Sequence, residues 1–195
     1  MIKYGEFNPK ADLVYVNGIL NGTQEAGESQ RLISDIVEDR GQTSLFHNPT
    51  KGFLGDLFES AALLCGFQTT ASKNLRSFLK EYLDDMDSDG RLMLIAHSQG
   101  ALTAKAALKG LSSRERQMVE IRAFGPVQAV SDRYAHSAVN YLSNRDLGGQ
   151  LSWVTSPQNP ITRLPARTSP PFLDHPFATA TYQAASRKEI DSFFE

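Results

Sequence analysis

Leu92-Met93-Leu94-Ile95-Ala96-His97-Ser98-Gln99-Gly100 is the stretch from which the rest of the chain is best read. Its first five residues form the most apolar run in the sequence. Continuous apolarity, rather than alternation, marks a strand covered by helices on both faces. Residues 101–109 then read as a helix stopped by Gly110, so the chain must turn from strand to helix within Ala96–Gly100. So sharp a turn forces its central residue, Ser98, into strained backbone and demands small residues two before and two after it. Ala96 and Gly100 meet that demand. The turn lifts the Ser98 hydroxyl clear of the sheet and points the free N–H groups of the new helix at the same spot.

On either side of this stretch, strands alternate with helices. Residues 13–16 and 43–47 read as short strands, the first closed by Asn17-Gly18 and the second by Asn48-Pro49. Residues 23–39 lie between them as a helix with Ala26, Ile33, Ile36 and Val37 on one face. Two amphipathic helices follow, marked by Leu54, Leu57, Phe58, Ala61 and Leu64, then by Leu75, Phe78, Leu79, Tyr82, Leu83 and Met86. Cys65 falls on the apolar side of the first and reads as core. Beyond the central stretch, Ser112 with Glu115 forms a capping box for a short helix. Residues 119–124, 137–143 and 151–155 read as strands, and 178–194 as a closing helix. This order predicts a mostly parallel twisted sheet with helices on both faces, an α/β fold in one domain over 1–195, with its site at the carboxyl ends of the strands.

Composition narrows the function. With 20 basic and 22 acidic side chains the net charge is −2, which removes the electrostatic case for nucleic acid or an anionic membrane surface. A single cysteine excludes an internal disulfide and a cysteine-based zinc site. The four histidines show no ligand pair at helical spacing, so neither metal nor cofactor is expected. No apolar run reaches the ~20 residues of a membrane span and no signal peptide opens the chain, so a cytoplasmic location is expected. Six of the nine prolines fall within residues 157–176, a stretch that reads as a functional loop.

Ala96-His97-Ser98-Gln99-Gly100 in this setting resembles the nucleophile elbow of the α/β-hydrolases, with Ala in place of the first Gly. The other reading of the string is a serine that merely caps a helix. A serine nucleophile requires a base, and a carboxylate to orient that base. The resemblance implies the chain order Ser, Asp or Glu, His, and it places the base on the loop before the last helix, where His175 stands in Asp174-His175-Pro176-Phe177. His136, at the start of a strand, lies at the edge away from such loops. Asp146 is the best acid, since it follows strand 137–143 at its carboxyl end; Asp132 and Asp174 are its rivals, and Asp174 is better suited to capping the loop. The oxyanion hole would be the backbone N–H of Gln99 with that of Ile19 or Leu20, in a loop where Gly18 lets the chain turn. His97, pointing away from the serine, is left a packing or hydrogen-bonding role.

Taken together, the chain resembles a short lipase- or esterase-like serine hydrolase of the α/β-hydrolase superfamily, of minimal form and without a large cap domain. Val16–Ile19, His47–Thr50 with Gly52-Phe53, and the elbow are also similar to hydrolase-like proteins of the chlamydial type. The resemblance implies a small-molecule or lipid acyl ester substrate. Phe53, Trp153, Phe172 and Phe177 are candidates to line an apolar pocket. Residues 54–65 would be either a small lid or one more helix on the sheet. Arg163 and Arg167 would either hold an anionic head group or be solvated. Acyl transfer, thioester cleavage, or a catalytically silent binding module are the alternatives that the same residues leave open.

Overall fold

The computed structural model describes residues 2–18, 23–47, 60, 62–146, 158–167 and 174–195. They form a seven-stranded sheet in the order β1-β3-β2-β4-β5-β6-β7. The strands are β1 Ile2–Tyr4, β2 Ala11–Val16, β3 Thr43–Phe46, β4 Arg91–His97, β5 Val119–Phe124, β6 Ser137–Ser143 and β7 Thr162–Leu164. Only β1 runs antiparallel, against β3; every other pairing is parallel. The helices whose bounds fall within the described residues are α1 Thr23–Val37, α2 Thr70–Asp84, α3 Gln99–Lys109, α4 Ser113–Gln117 and α5 Ala180–Phe193; residues 60 and 62–64 are helical as well.

The apolar runs have a simple geometric cause. Side chains alternate across a strand, and here both sides are covered. Val14, Val16, Leu92, Leu94, Ala96, Ile121 and Ala123 face the layer that holds Leu75 and Leu79 of α2 and Ala101, Ala104 and Leu108 of α3. Leu13, Tyr15, Met93, Ile95 and Phe124 face Ile33 and Ile36 of α1 and Tyr182 and Ile190 of α5. Each such fully buried Leu, Ile, Val or Phe side chain stabilises the fold by roughly 1.5–3 kcal/mol relative to exposure. The expected capping box is formed: Ser112 Oγ accepts from Glu115 N at 3.2 Å while the Glu115 carboxylate accepts from Ser112 N. Charge then fixes α5 against the sheet. Glu189 on α5 accepts from Arg122 Nε of β5 and from the Tyr141 hydroxyl of β6.

Three expectations need correction, and one strand was not foreseen. The proline-rich stretch is not loop throughout: Thr162–Leu164 adds parallel to β6 as β7, at the sheet edge, where flanking prolines are tolerated. β1 was not legible, because three residues of mixed polarity carry no periodic signal. Cys65 is exposed rather than core, because the helix ends at Leu64, itself exposed, and Gly66, at φ 88°, turns the chain there. Finally, α5 begins two residues later than expected, at Ala180. The strand expected at 151–155 lies outside the described residues.

Candidate active site

β4 ends at His97 and α3 begins at Gln99, so Ser98 alone makes the turn. It adopts φ 54° and ψ −124°, a region that side-chain-bearing residues rarely occupy and that costs of order 1–3 kcal/mol. The backbone ladder holds it there: Ser98 N donates to Phe124 O at 3.0 Å, and Ser98 O accepts from Ala101 N at 3.1 Å. Gly100 is obligatory, since a Cβ there would lie 2.5 Å from Val16 O and 2.7 Å from Asn17 O. Gly18 approaches from the other side, where a Cβ would stand 2.8 Å from Ser98 Cβ.

Parallel register sets out the partners. His97 pairs with Phe124 and Phe124 with Tyr141, so the residues just beyond these strand ends crowd together. Asp146 arrives three residues after β6 and is fully buried. His175 arrives from the segment before α5, its side chain one-third exposed. The Ser98 hydroxyl lies 3.0 Å from His175 Nε2, to which it donates. His175 Nδ1–H donates to Asp146 Oδ1 at 2.7 Å. The structure thus brings Ser98, His175 and Asp146 into one line of hydrogen bonds, with the helix N-terminus that carries Gln99 beside the serine. Such a line can draw the hydroxyl proton onto the imidazole and stabilise the imidazolium that results.

The surrounding groups hold this line in place. Asp146 Oδ2 accepts from the Tyr182 hydroxyl of α5, and that hydroxyl in turn accepts from Ser143 N at 3.3 Å. Burial first, and then the Asp146 charge, push the Tyr182 phenol far up, so it stays a donor. Asp174 is buried and accepts from Ser143 Oγ and, at 2.8 Å, from Thr181 Oγ1; it ties the His175 segment to β6 and α5 in the loop-capping role expected of it. Gly125, at φ 52°, passes so close that a Cβ would lie 2.5 Å from Asp146 Oδ2 and 2.9 Å from the Tyr182 hydroxyl. Tyr182 was not singled out from sequence. The available signal was its place on a buried helix face, where a tyrosine hydroxyl must find a partner.

Other sequence candidates fall elsewhere. Asp132 and His136 sit at the amino end of β6, where Asp132 accepts from Ala138 N. Phe177 does not line a pocket: it is buried in the core between Tyr15 and Phe124, with ring centroids 5.2 and 5.4 Å away, because its side chain points under the sheet end. Arg163 and Arg167 are exposed, on and just after β7. Ile19, Leu20, Phe53, Trp153 and Phe172, and most of the 54–65 helix, lie outside the described residues. Among the described residues, no three His, Cys, Asp or Glu side chains are placed to hold a metal ion, and no helix is long and apolar enough to cross a membrane.

A mostly parallel sheet with helices on both faces, turning from β4 to α3 through a strained serine, is the α/β-hydrolase fold. Among solved structures, the chain is similar to Trichoderma reesei cutinase in complex with a phosphonate inhibitor. The TM-score is 0.60 at 14% identity, over 97% of this chain and 78% of that one. Weaker similarities are to YahD with malic acid (TM-score 0.49, 15% identity, 98% of each chain) and to an acetyl xylan esterase (0.48, 14%, 95% of each). No family model and no curated protein sequence matches the chain.

Proposed function

We propose that the protein is a serine-dependent hydrolase of carboxylic esters, acting through Ser98, His175 and Asp146. The observation that carries this reading is the unbroken line from Ser98 Oγ through both nitrogens of His175 to the buried Asp146. In this reading the Ser98 oxygen attacks the acyl carbonyl carbon as its proton passes to His175 Nε2. The oxyanion is held by the Gln99 N–H and by a second N–H from residues 19–20. Collapse breaks the ester C–O bond, and His175 returns the proton to the departing alcohol. Water, deprotonated by the same imidazole, then attacks the acyl-enzyme and releases the acid.

The scheme as proposed calls for no cofactor. Phe53, Trp153 and Phe172 remain the candidates for an acyl pocket, and residues 54–65 for its cover. The narrower resemblance to chlamydial-type proteins adds no substrate. A cytoplasmic location is part of the same proposal. Turnover of short p-nitrophenyl esters by the wild type and by His175→Ala tests the reading. The expected outcome is a loss of at least about a thousandfold in kcat/KM with the variant still folded. Equal turnover by the two proteins would overturn it.

A further inference from the structure

The chain holds a second histidine at the site, one that the hydrolytic scheme leaves without a task. His97, the residue before Ser98, is 2% exposed. Its Nε2 lies 2.8 Å from the main-chain carbonyl oxygen of His175. Its ring stands 5.0 Å from the His175 ring, 6.0 Å from Phe177 and 6.3 Å from Tyr182, centroid to centroid. We propose that His97 is a positioning residue: its Nε2–H holds the His175 carbonyl and thereby sets where that imidazole stands relative to Ser98.

Three observations support this. The His175 carbonyl belongs to the bond preceding Pro176, in a segment without helix or strand, so no backbone ladder fixes it. Asp174 anchors the preceding residue by its side chain. The imidazole bonds of His175 fix only the far end of that side chain. Among the described residues, the carbonyl is thus a point at which the base's own backbone is held, and His97 holds it.

The state of His97 also fits. Burial, and then the charge that His175 would carry, hold its pKa down at about 3, so the ring is neutral under ordinary conditions and carries one proton. Facing a carbonyl, that proton must sit on Nε2. Nδ1 is then a bare acceptor, buried and without a hydrogen-bond partner among the described residues. A phenylalanine would fill the same space without placing a polar nitrogen there. The donor on Nε2 is what distinguishes histidine at this position. Because His97 adjoins Ser98 in the chain, one residue joins the strand of the nucleophile to the segment of the base.

The consequence for turnover rests on the hydrolase reading; the hydrogen bond itself does not. The test compares His97→Phe, His97→Gln and His97→Asn. Glutamine can place an amide N–H near the position of Nε2, whereas asparagine reaches only that of Nδ1. With a p-nitrophenyl ester, His97→Phe should lower kcat about ten- to hundredfold with KM little changed. His97→Gln should recover most of that loss and His97→Asn should not. The bond is read independently by NMR. The His97 Nε2–H should exchange slowly, and the His175 carbonyl carbon should shift in His97→Phe and move back in His97→Gln.

Should the phenylalanine variant fail to fold, the glutamine–asparagine difference still decides the matter. A fast-exchanging Nε2–H, or an unmoved His175 carbonyl in a folded His97→Phe, would overturn the assignment. So would a glutamine variant no better than asparagine in a wild type that turns over ester. A wild type that shows the NMR signature but no turnover would count against the hydrolase reading while upholding the bond.

Discussion

Ser98→Gly should melt several degrees above Ser98→Ala, while both are inert toward esters. The comparison isolates the elbow, since both substitutions remove the hydroxyl and its bond to His175. Alanine keeps a Cβ at φ 54° and ψ −124°, and so retains the strain. Glycine adopts that backbone freely but loses more chain entropy on folding. At the middle of each range, strain of about 2 kcal/mol less an entropy cost of about 0.75 kcal/mol leaves glycine ahead by about 1 kcal/mol. At this chain length that is a difference in Tm of about 2–4 °C. Calorimetry and ester turnover measured on the same samples check both halves. A glycine variant that melts at or below the alanine variant would show that strain at the elbow is no larger than that entropy cost. The strain is itself functional in this account: it holds the hydroxyl out at the head of α3.

Gly125→Ala should cost activity heavily without touching any reacting group. Its φ of 52° penalises any side chain, and the new methyl would meet Asp146 Oδ2 at 2.5 Å and the Tyr182 hydroxyl at 2.9 Å. Asp146 cannot retreat without giving up Tyr182 or His175. A displacement approaching 1 Å along such a line is worth on the order of a hundredfold in kcat. Stability should fall by about 1–3 kcal/mol. Gly110→Ala is the matching control. It lies at the far end of α3, has an ordinary φ of −89°, and crowds only the flexible Arg76 side chain. Its kcat should equal that of the wild type. A Gly125→Ala enzyme with undiminished kcat would mean that Asp146 does not need its present place.

Much of this arrangement was legible because single residues carried strong local physics. Ser98 was readable because small residues flank it and the strand before it is apolar throughout. The alternation that makes Leu92 and Leu94 face one layer, and Met93 and Ile95 the other, produces that run directly. Asp146 and His175 were readable because the resemblance implies an acid after a late strand and a base before the last helix, although only the folded register brings them together. Where the signal was weak, the reading went astray. Cys65 followed the apolar stripe of a helix that had already ended. Phe177 looked like a pocket residue because it neighbours His175, yet its ring packs beneath the sheet. β7 was hidden by prolines that an edge strand tolerates. Tyr182 acts through a hydroxyl whose target lies 36 residues away in sequence, and no local pattern encodes such a pairing. His97 was read as a packing or hydrogen-bonding residue, but its target, 78 residues on, was not legible.

The central claim is that Ser98 is a nucleophile made reactive by His175. Intact-protein mass spectrometry after exposure to a fluorophosphonate tests it most directly, because the probe phosphonylates an activated serine hydroxyl. One adduct is expected on the wild type, mapping to Ser98, and none on folded His175→Ala over the same exposure. Folded wild-type protein that takes up no probe, or a His175→Ala variant labelled at the wild-type rate, would contradict it.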